Sequence, residues 1–319
     1  MAHKRAGKAK TDRPGSKSDR CRAIVGIGAS AGGIESLGRL FDVMPADTGC
    51  GFVVILHLDP THESQLASVL SRHTAMPVVD IADGMPIEPN RVHVIVPDRT
   101  PTLHDGKLRL TVPAEPRGQR HPVDDLFTSQ AVEQERAIGI VLSGTGCNGT
   151  HGLLEIKAQG GMTLVQDPAT ARFPGMPQSA IAAGAADHVL APETMPDVLL
   201  RYLEHGYVAD LAANAVTAAP DEWSALDPVL ALLRHRSDQD FRGYKRATLQ
   251  RRIHRRMGLT NAATLADYTE LLRTHPDEIE TLVKDLMITV TGFFRDTEAW
   301  KALDEMVITP LVAAREDDA

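Results

Sequence analysis

Ala23-Ile-Val-Gly-Ile-Gly-Ala-Ser-Ala-Gly-Gly33 is the stretch on which the reading of this chain turns. Residues 23–29 form an apolar run that breaks into glycines at Ser30, as a buried strand ending in a sharp turn does. Ile34, Leu37, Leu40, Phe41 and Met44 then recur at helical spacing up to Pro45. A serine on a strand-to-helix turn has its hydroxyl at the carboxyl edge of a parallel sheet, near backbone N–H groups, the setting of an activated nucleophile. Two other readings fit the same residues. Gly26, Gly28 and Ala31 match the dinucleotide pattern G-x-G-x-x-A, although Asp59, which follows the next strand, lies later than the spacing of about 20 residues that pattern asks for. The segment can also be a plain tight turn.

His57 favours the nucleophile. It follows the apolar run Gly51-Phe-Val-Val-Ile-Leu56 and so sits at the same sheet edge. Adjacent parallel strands lie about 4.8 Å apart, so a serine after one and a histidine after its neighbour can meet. A third unit, Ala137 to Gly152, repeats the plan: strand residues Ile138 to Leu142 open into Ser143-Gly-Thr-Gly-Cys-Asn-Gly149 and then a helix. Such a loop exposes backbone N–H groups suited to an oxyanion or a phosphate; no lysine follows its glycines, which argues against a P-loop.

Together these segments resemble the catalytic domain of the chemoreceptor protein-glutamate methylesterases (CheB-type). Gly28-Ala-Ser30-x-Gly-Gly33 matches the serine motif, His57 the histidine, and Ser143 to Gly149 the Ser/Thr-Gly-x-Gly-x-Asp-Gly loop. Pro122-Val-Asp-Asp-Leu-Phe127, Gln166-Asp-Pro168 and Gly175-Met-Pro-Gln-Ser-Ala-Ile181 agree as well, so the likeness covers residues 22–205. It implies a doubly wound α/β fold and ester hydrolysis on methylated receptor glutamates, with Ser30 as nucleophile, His57 as base and backbone N–H groups around Thr145 for the oxyanion. One position departs: the family's catalytic aspartate falls on Asn148. A neutral amide can favour the wrong histidine tautomer, and the same exchange in the triad of a serine protease lowers turnover about 10⁴-fold. Asp167, after the strand Met162 to Gln166, is a candidate substitute, whereas Asp59, Glu63 and His151 read as loop residues.

The alternation of strand and helix in this part predicts a mostly parallel doubly wound sheet. The pattern includes a helix over Ser64 to His73, strands at Val78 to Ile81 and Arg91 to Val96, and a hairpin over Thr102 to Val112 turning at Asp105-Gly106. A helix over Val123 to Glu135 follows, and Met195 to His205 ends the unit at residue 206. Residues 207–224 read as an Ala-rich linker and residues 225–307 as a small all-α domain. There, Leu249, Ile253 and Met257 form a core stripe, and Arg251, Arg252, Arg255 and Arg256 cover the other side of the same helix. This region resembles the N-terminal helical domain of the chemoreceptor methyltransferases (CheR-type), through the Tyr244-Lys…Arg-Arg-x-x-Arg-Arg256 helix and Thr291-Gly-Phe-Phe-Arg295. The resemblance implies that the four arginines face acidic receptor helices, and that Thr291 and Arg295 stand where the family contacts S-adenosylmethionine. The methyltransferase's glycine-rich cofactor loop is not found before Ala319, and residues 308–319 read as the start of a further domain, so neither methyl transfer nor any cofactor is expected of this chain.

Composition agrees. The 319 residues, 43% of them hydrophobic, suffice for two cores, and a net charge of −8 argues against general nucleic-acid binding. Cys21, Cys50 and Cys147 form no C-x-x-C pair, which fits a reducing cytoplasm and offers no zinc site of the usual spacing. No apolar run reaches the length of about 18 residues that a membrane span needs. Residues 1–21 are basic without an apolar segment and read as a disordered tail; no receiver domain is found before the first strand, so phosphorylation gating of that kind is not expected within this chain. Two functions of different class follow: a methylesterase, impaired at Asn148, or a weakly catalytic scaffold that docks on chemoreceptors or signalling kinase complexes.

Overall fold

A computed structural model describes residues 20–56, 65–116, 119–205, 226–237, 239–241, 243–287 and 302–310. Seven strands form one parallel sheet: β1 (Ile24–Ala29), β2 (Gly51–Leu56), β3 (Val78–Asp80), β4 (Arg91–Val94), β7 (Ala137–Val141), β8 (Met162–Gln166) and β9 (His188–Leu190). Their order across the sheet is β3-β4-β2-β1-β7-β8-β9. A separate antiparallel hairpin joins β5 (Thr100–His104) to β6 (Lys107–Thr111). Asp105 (φ 50°) and Gly106 (φ 71°) both take the left-handed conformation that a two-residue hairpin turn requires.

The sheet is buried on both faces, which is why its strands read as continuous apolar runs. On one face Val25, Ile27 and Ala29 pack with Leu37 and Phe41 of α1 (Gly33–Phe41) and with Leu199 and Leu203 of α6 (Met195–Glu204). On the other, Val53, Ile55 and Val141 pack with Val123, Leu126 and Phe127 of α3 (Pro122–Gln130) and with Leu153 and Ile156 of α4 (Thr150–Ala158). Two shorter helices, α2 (Leu66–Leu70) and α5 (Gly175–Ala182), add Leu66 and Leu70 to the first face and Met176 and Ala180 to the second. Gly26 and Gly28 allow α3 to lie this close. A Cβ on Gly26 would fall 2.3 Å from Gln130 Oε1 and 2.8 Å from the Phe127 ring, and one on Gly28 would fall 2.3 Å from Val123 Cγ1. Gln130 uses the same proximity to donate to the carbonyls of Ile24 (2.6 Å) and Ile138 (3.0 Å). The two glycines that fit a dinucleotide pattern therefore serve helix-on-sheet packing.

The remaining described core belongs to four helices: α7 (Asp227–Ser237), α8 (Arg246–Thr260), α9 (Leu265–Thr274) and α10 (Pro276–Leu286). Leu249, Ile253 and Met257 meet Tyr268, Leu272, Ile279 and Leu282, as the stripe on α8 predicted. Thr264 and Asp267 form a reciprocal capping box at the start of α9. The fold is thus an α/β unit followed by a small all-α unit. The expected linker, residues 207–224, lies outside the described residues, as does the expected tail up to residue 19; Cys21, the last residue of that expected tail, is instead buried in the core of the α/β unit.

Candidate active site

Strands β1 and β7 are neighbours, and the chain runs from β1 to β2 on one side and from β7 to β8 on the other, so the two connections part at the carboxyl ends of these strands. In open α/β sheets this switch point is where ligands bind. Ser30 stands there. The strand pairing continues one step beyond β1 and β7, with the Ser30 N–H donating to the Ser143 carbonyl at 3.0 Å. The chain then turns sharply: the Gly33 N–H donates to the Ser30 carbonyl at 2.9 Å, and Gly32 (φ 73°) caps α1 in the left-handed region. A side chain at Gly32 would meet Ser143 Oγ at 2.7 Å as well as being strained. The glycine-rich loop lies against the serine, since a Cβ on Gly144 would sit 3.0 Å from Ser30 Cβ and 2.1 Å from Met176 Sδ.

Asn148 is 5% exposed, at the base of that loop just before α4. Its Oδ1 accepts the backbone N–H of Asp124, in the first turn of α3, at 3.2 Å. The Asp124 carboxylate in turn accepts the Gly152 N–H at 2.8 Å, which ties the start of α3 to the start of α4. Thr145, Gly146 and Cys147 are exposed between these anchors. The Gly144 N–H is engaged with the Phe173 carbonyl at 2.9 Å, which leaves the oxyanion role to the loop's later N–H groups. A cavity of about 390 Å³ opens beside the loop, lined by Leu56, Pro97, Arg99, His121, Thr145 and Asn148 among others. His57, Asp59 and Glu63 lie outside the described residues, as do Thr291 and Arg295.

Asp167, the candidate substitute acid, is engaged as a turn cap. Its carboxylate accepts the N–H of Ala169 at 2.9 Å and caps a short turn after β8, a strand separated from β1 by β7. His151 is an exposed residue of α4.

The arginine helix requires a correction. Arg252, Arg255 and Arg256 are buried, and Arg251 is half-buried; they do not form an exposed face. Arg252 donates to the carbonyls of Lys157 (2.9 Å) and Ala158 (2.6 Å), the C-terminal end of α4, where cations are favoured. Arg255, with no exposed surface, donates to the Gly161 carbonyl at 3.0 Å and pairs with Asp187 and with Asp285 (2.7 Å). Lys157 joins the same two carboxylates at 3.2 and 3.6 Å. Arg256 makes a two-pronged pair with Glu278, at 2.8 and 2.5 Å. Burial alone would raise the Asp187 pKa; the Arg255 and Lys157 charges outweigh it and hold the carboxyl below the usual range. The physical reason for the correction is that α8 presents a second face to the α/β unit, and the guanidinium groups of Arg252, Arg255 and Arg256 survive burial there because carbonyls and carboxylates accept from them. Gly161 precedes β8 and Asp187 precedes β9, so the helical unit docks at the amino edge of the sheet, opposite Ser30.

Known proteins bear on this geometry. Residues 25–199 match the family model for the CheB methylesterase, and residues 213–287 match that for the all-alpha domain of the CheR methyltransferase. An uncharacterized 104.1 kDa protein in the hypE 3' region of Rhodobacter capsulatus is 40% identical over 268 residues, 78% of this chain and 28% of that protein. The protein-glutamate methylesterase/protein-glutamine glutaminase of Pyrococcus horikoshii is 32% identical over 205 residues, 63% of this chain and 55% of that protein. The chain thus spans between about a quarter and about half of the length of these relatives. The crystal structure of the Thermotoga maritima CheB methylesterase catalytic domain superposes with a TM-score of 0.52 at 29% identity, over 56% of this chain and 97% of that one. The chain belongs to the CheB methylesterase family, and carries a CheR-type all-alpha domain after it.

Proposed function

We propose that this chain is a protein-glutamate methylesterase, acting in the cytoplasm on the γ-methyl esters of glutamates in chemoreceptor helices, with catalysis limited by Asn148. The observation that carries the reading is Ser30 on its turn at the switch point of the sheet, with the 143–149 loop packed against it. Family membership and the methylesterase named in Pyrococcus horikoshii support it. In the reaction, Ser30 Oγ attacks the ester carbonyl while His57 takes its proton. Backbone N–H groups of the Thr145 to Cys147 segment hold the oxyanion. The C–O bond to methanol breaks as His57 returns the proton, and water, deprotonated by the same histidine, then releases the carboxylate from Ser30.

Asn148 acts on the histidine step. A carboxylate at this position would accept the Asp124 N–H with one oxygen and a histidine N–H with the other. The amide places Oδ1 on Asp124, so its other end is a donor. That end favours a histidine with its proton on the nitrogen that should attack Ser30's hydrogen, the wrong tautomer for a base. Turning the amide over would set donor against donor at the part-buried Asp124 N–H, at a penalty of up to about 1–3 kcal/mol.

The same observation supports a second reading, a weakly catalytic module that docks on chemoreceptors or signalling kinase complexes. Methanol release from a peptide carrying glutamate γ-methyl ester separates them. The esterase reading expects slow release that disappears in Ser30→Ala; release at equal rate from both proteins, or none from wild type and Asn148→Asp alike, supports the docking module instead.

A further inference from the structure

Ser143 is fully buried, polar, and outside the proposed set of reacting groups. Each of its polar atoms is engaged. Its carbonyl accepts the Ser30 N–H at 3.0 Å. Its Oγ donates to the Ala31 carbonyl at 2.8 Å and accepts the Phe173 N–H at 3.0 Å. Its N–H donates to Gln166 Oε1 at 2.8 Å. Gln166 is itself fully buried at the end of β8, and its Nε2 donates to the carbonyl and hydroxyl of Thr170 at 3.1 and 3.2 Å, which fixes the direction of its amide. The Ser30 N–H and the Ala31 carbonyl are therefore both held by one residue of the neighbouring strand's loop, the first by its backbone and the second by its side chain.

We propose that Ser143, seated by Gln166, is the positioning residue of the nucleophile: it sets where the Ser30 hydroxyl points relative to the 144–148 loop. The assignment rests on Ser30 being the nucleophile. A turn of four residues with Gly32 and Gly33 in it has little rigidity of its own. The hydroxyl of Ser143 supplies that rigidity by tying Ala31, on one side of the site, to Phe173, on the other. Without it the Ala31 carbonyl loses its donor and the Phe173 N–H its acceptor, and the turn is free to shift. Displacements of about 1 Å at a reacting group lower rates by about 10²-fold.

The test is the rate at which a serine-directed fluorophosphonate labels Ser30, measured at saturating reagent and mapped by peptide mass spectrometry, in the wild-type and Asn148→Asp backgrounds. Ser143→Ala and Gln166→Met are expected to slow the first-order labelling step about 10–100-fold while the final label still reaches one per folded chain. Ser143→Thr, which keeps the hydroxyl, is expected to stay within a few-fold of wild type. The stoichiometry at completion separates a slower reaction from a smaller folded fraction, so a loss of folding alone cannot imitate the result. Labelling of Ser143→Ala at the wild-type rate overturns the positioning role and leaves Ser30 as nucleophile. Equal slowing in Ser143→Thr and Ser143→Ala overturns it too, since the hydroxyl is then irrelevant. Absence of label on Ser30 in both parent backgrounds overturns the nucleophile and the positioning role together.

Discussion

Asn148→Asp is expected to raise methyl-ester hydrolysis by several orders of magnitude, up to about 10⁴-fold on the serine-protease precedent. The structure gives the substitution a ready place. The side chain is buried, nearly isosteric, and already has its Oδ1 against the Asp124 N–H in the first turn of α3, where a negative charge is favoured. On the proposed triad, the new oxygen replaces a donor by an acceptor where the histidine N–H would be received. The gain belongs in turnover rather than in substrate binding. The measurement is kcat for methanol release from the γ-methyl ester peptide, beside Ser30→Ala/Asn148→Asp as the blank. An unchanged kcat means that the loop does not orient the base. Asn148 precedes Gly149, a pair prone to deamidation, so the wild-type rate is to be taken from freshly prepared protein whose mass across residues 137–152 shows Asn.

The second large effect is on stability. Arg255→Met is expected to destabilise the chain by about 3–5 kcal/mol, the usual consequence of removing one partner from a buried ionic cluster. Asp187 would then keep Lys157 at 3.2 Å, and Asp285 would keep Lys157 at 3.6 Å and Arg256 at 3.9 Å. The midpoint of denaturant unfolding measures it; a loss below about 1 kcal/mol would be the behaviour of an exposed pair and would contradict the burial. The pH dependence has a definite sign. Asp187 has its pKa lowered in the folded state, so its contribution is complete above the unfolded value of about 3.9 and fades as the pH falls from there through the folded value. The Asp187 contribution to wild-type stability is therefore expected to be flat from neutral pH down to about 5 and to shrink only in stronger acid. The same contacts change what Arg252→Glu and Arg256→Glu report. Both would break internal pairs, so a loss of receptor binding in them measures folding before it measures docking.

The α/β unit was legible because its signals are local. Apolar runs end in glycines at Ser30 and Ser143, and Asp105-Gly106 names its own turn. The stripe of Leu249, Ile253 and Met257 was legible for the same reason. Gly26 and Gly28 were ambiguous in sequence because a glycine records only that something comes close; the structure shows α3 rather than a phosphate-bearing ligand as the close neighbour. Arg255 was misjudged because its partners are remote. Asp285 is 30 residues away and Asp187 is 68, and no periodicity within a helix announces a pairing across two units. Ser143 was visible only as the first letter of a glycine-rich motif, and its bonds to residues 30, 31, 166 and 173 come from the sheet order rather than from any spacing.

The most direct test of the account is where a covalent serine reagent lands. Wild-type protein treated with a fluorophosphonate and mapped by mass spectrometry is expected to carry the adduct on Ser30, and Ser30→Ala is expected to carry none. An adduct on another residue, or equal labelling of wild type and Ser30→Ala, would contradict the assignment of this turn as the catalytic centre.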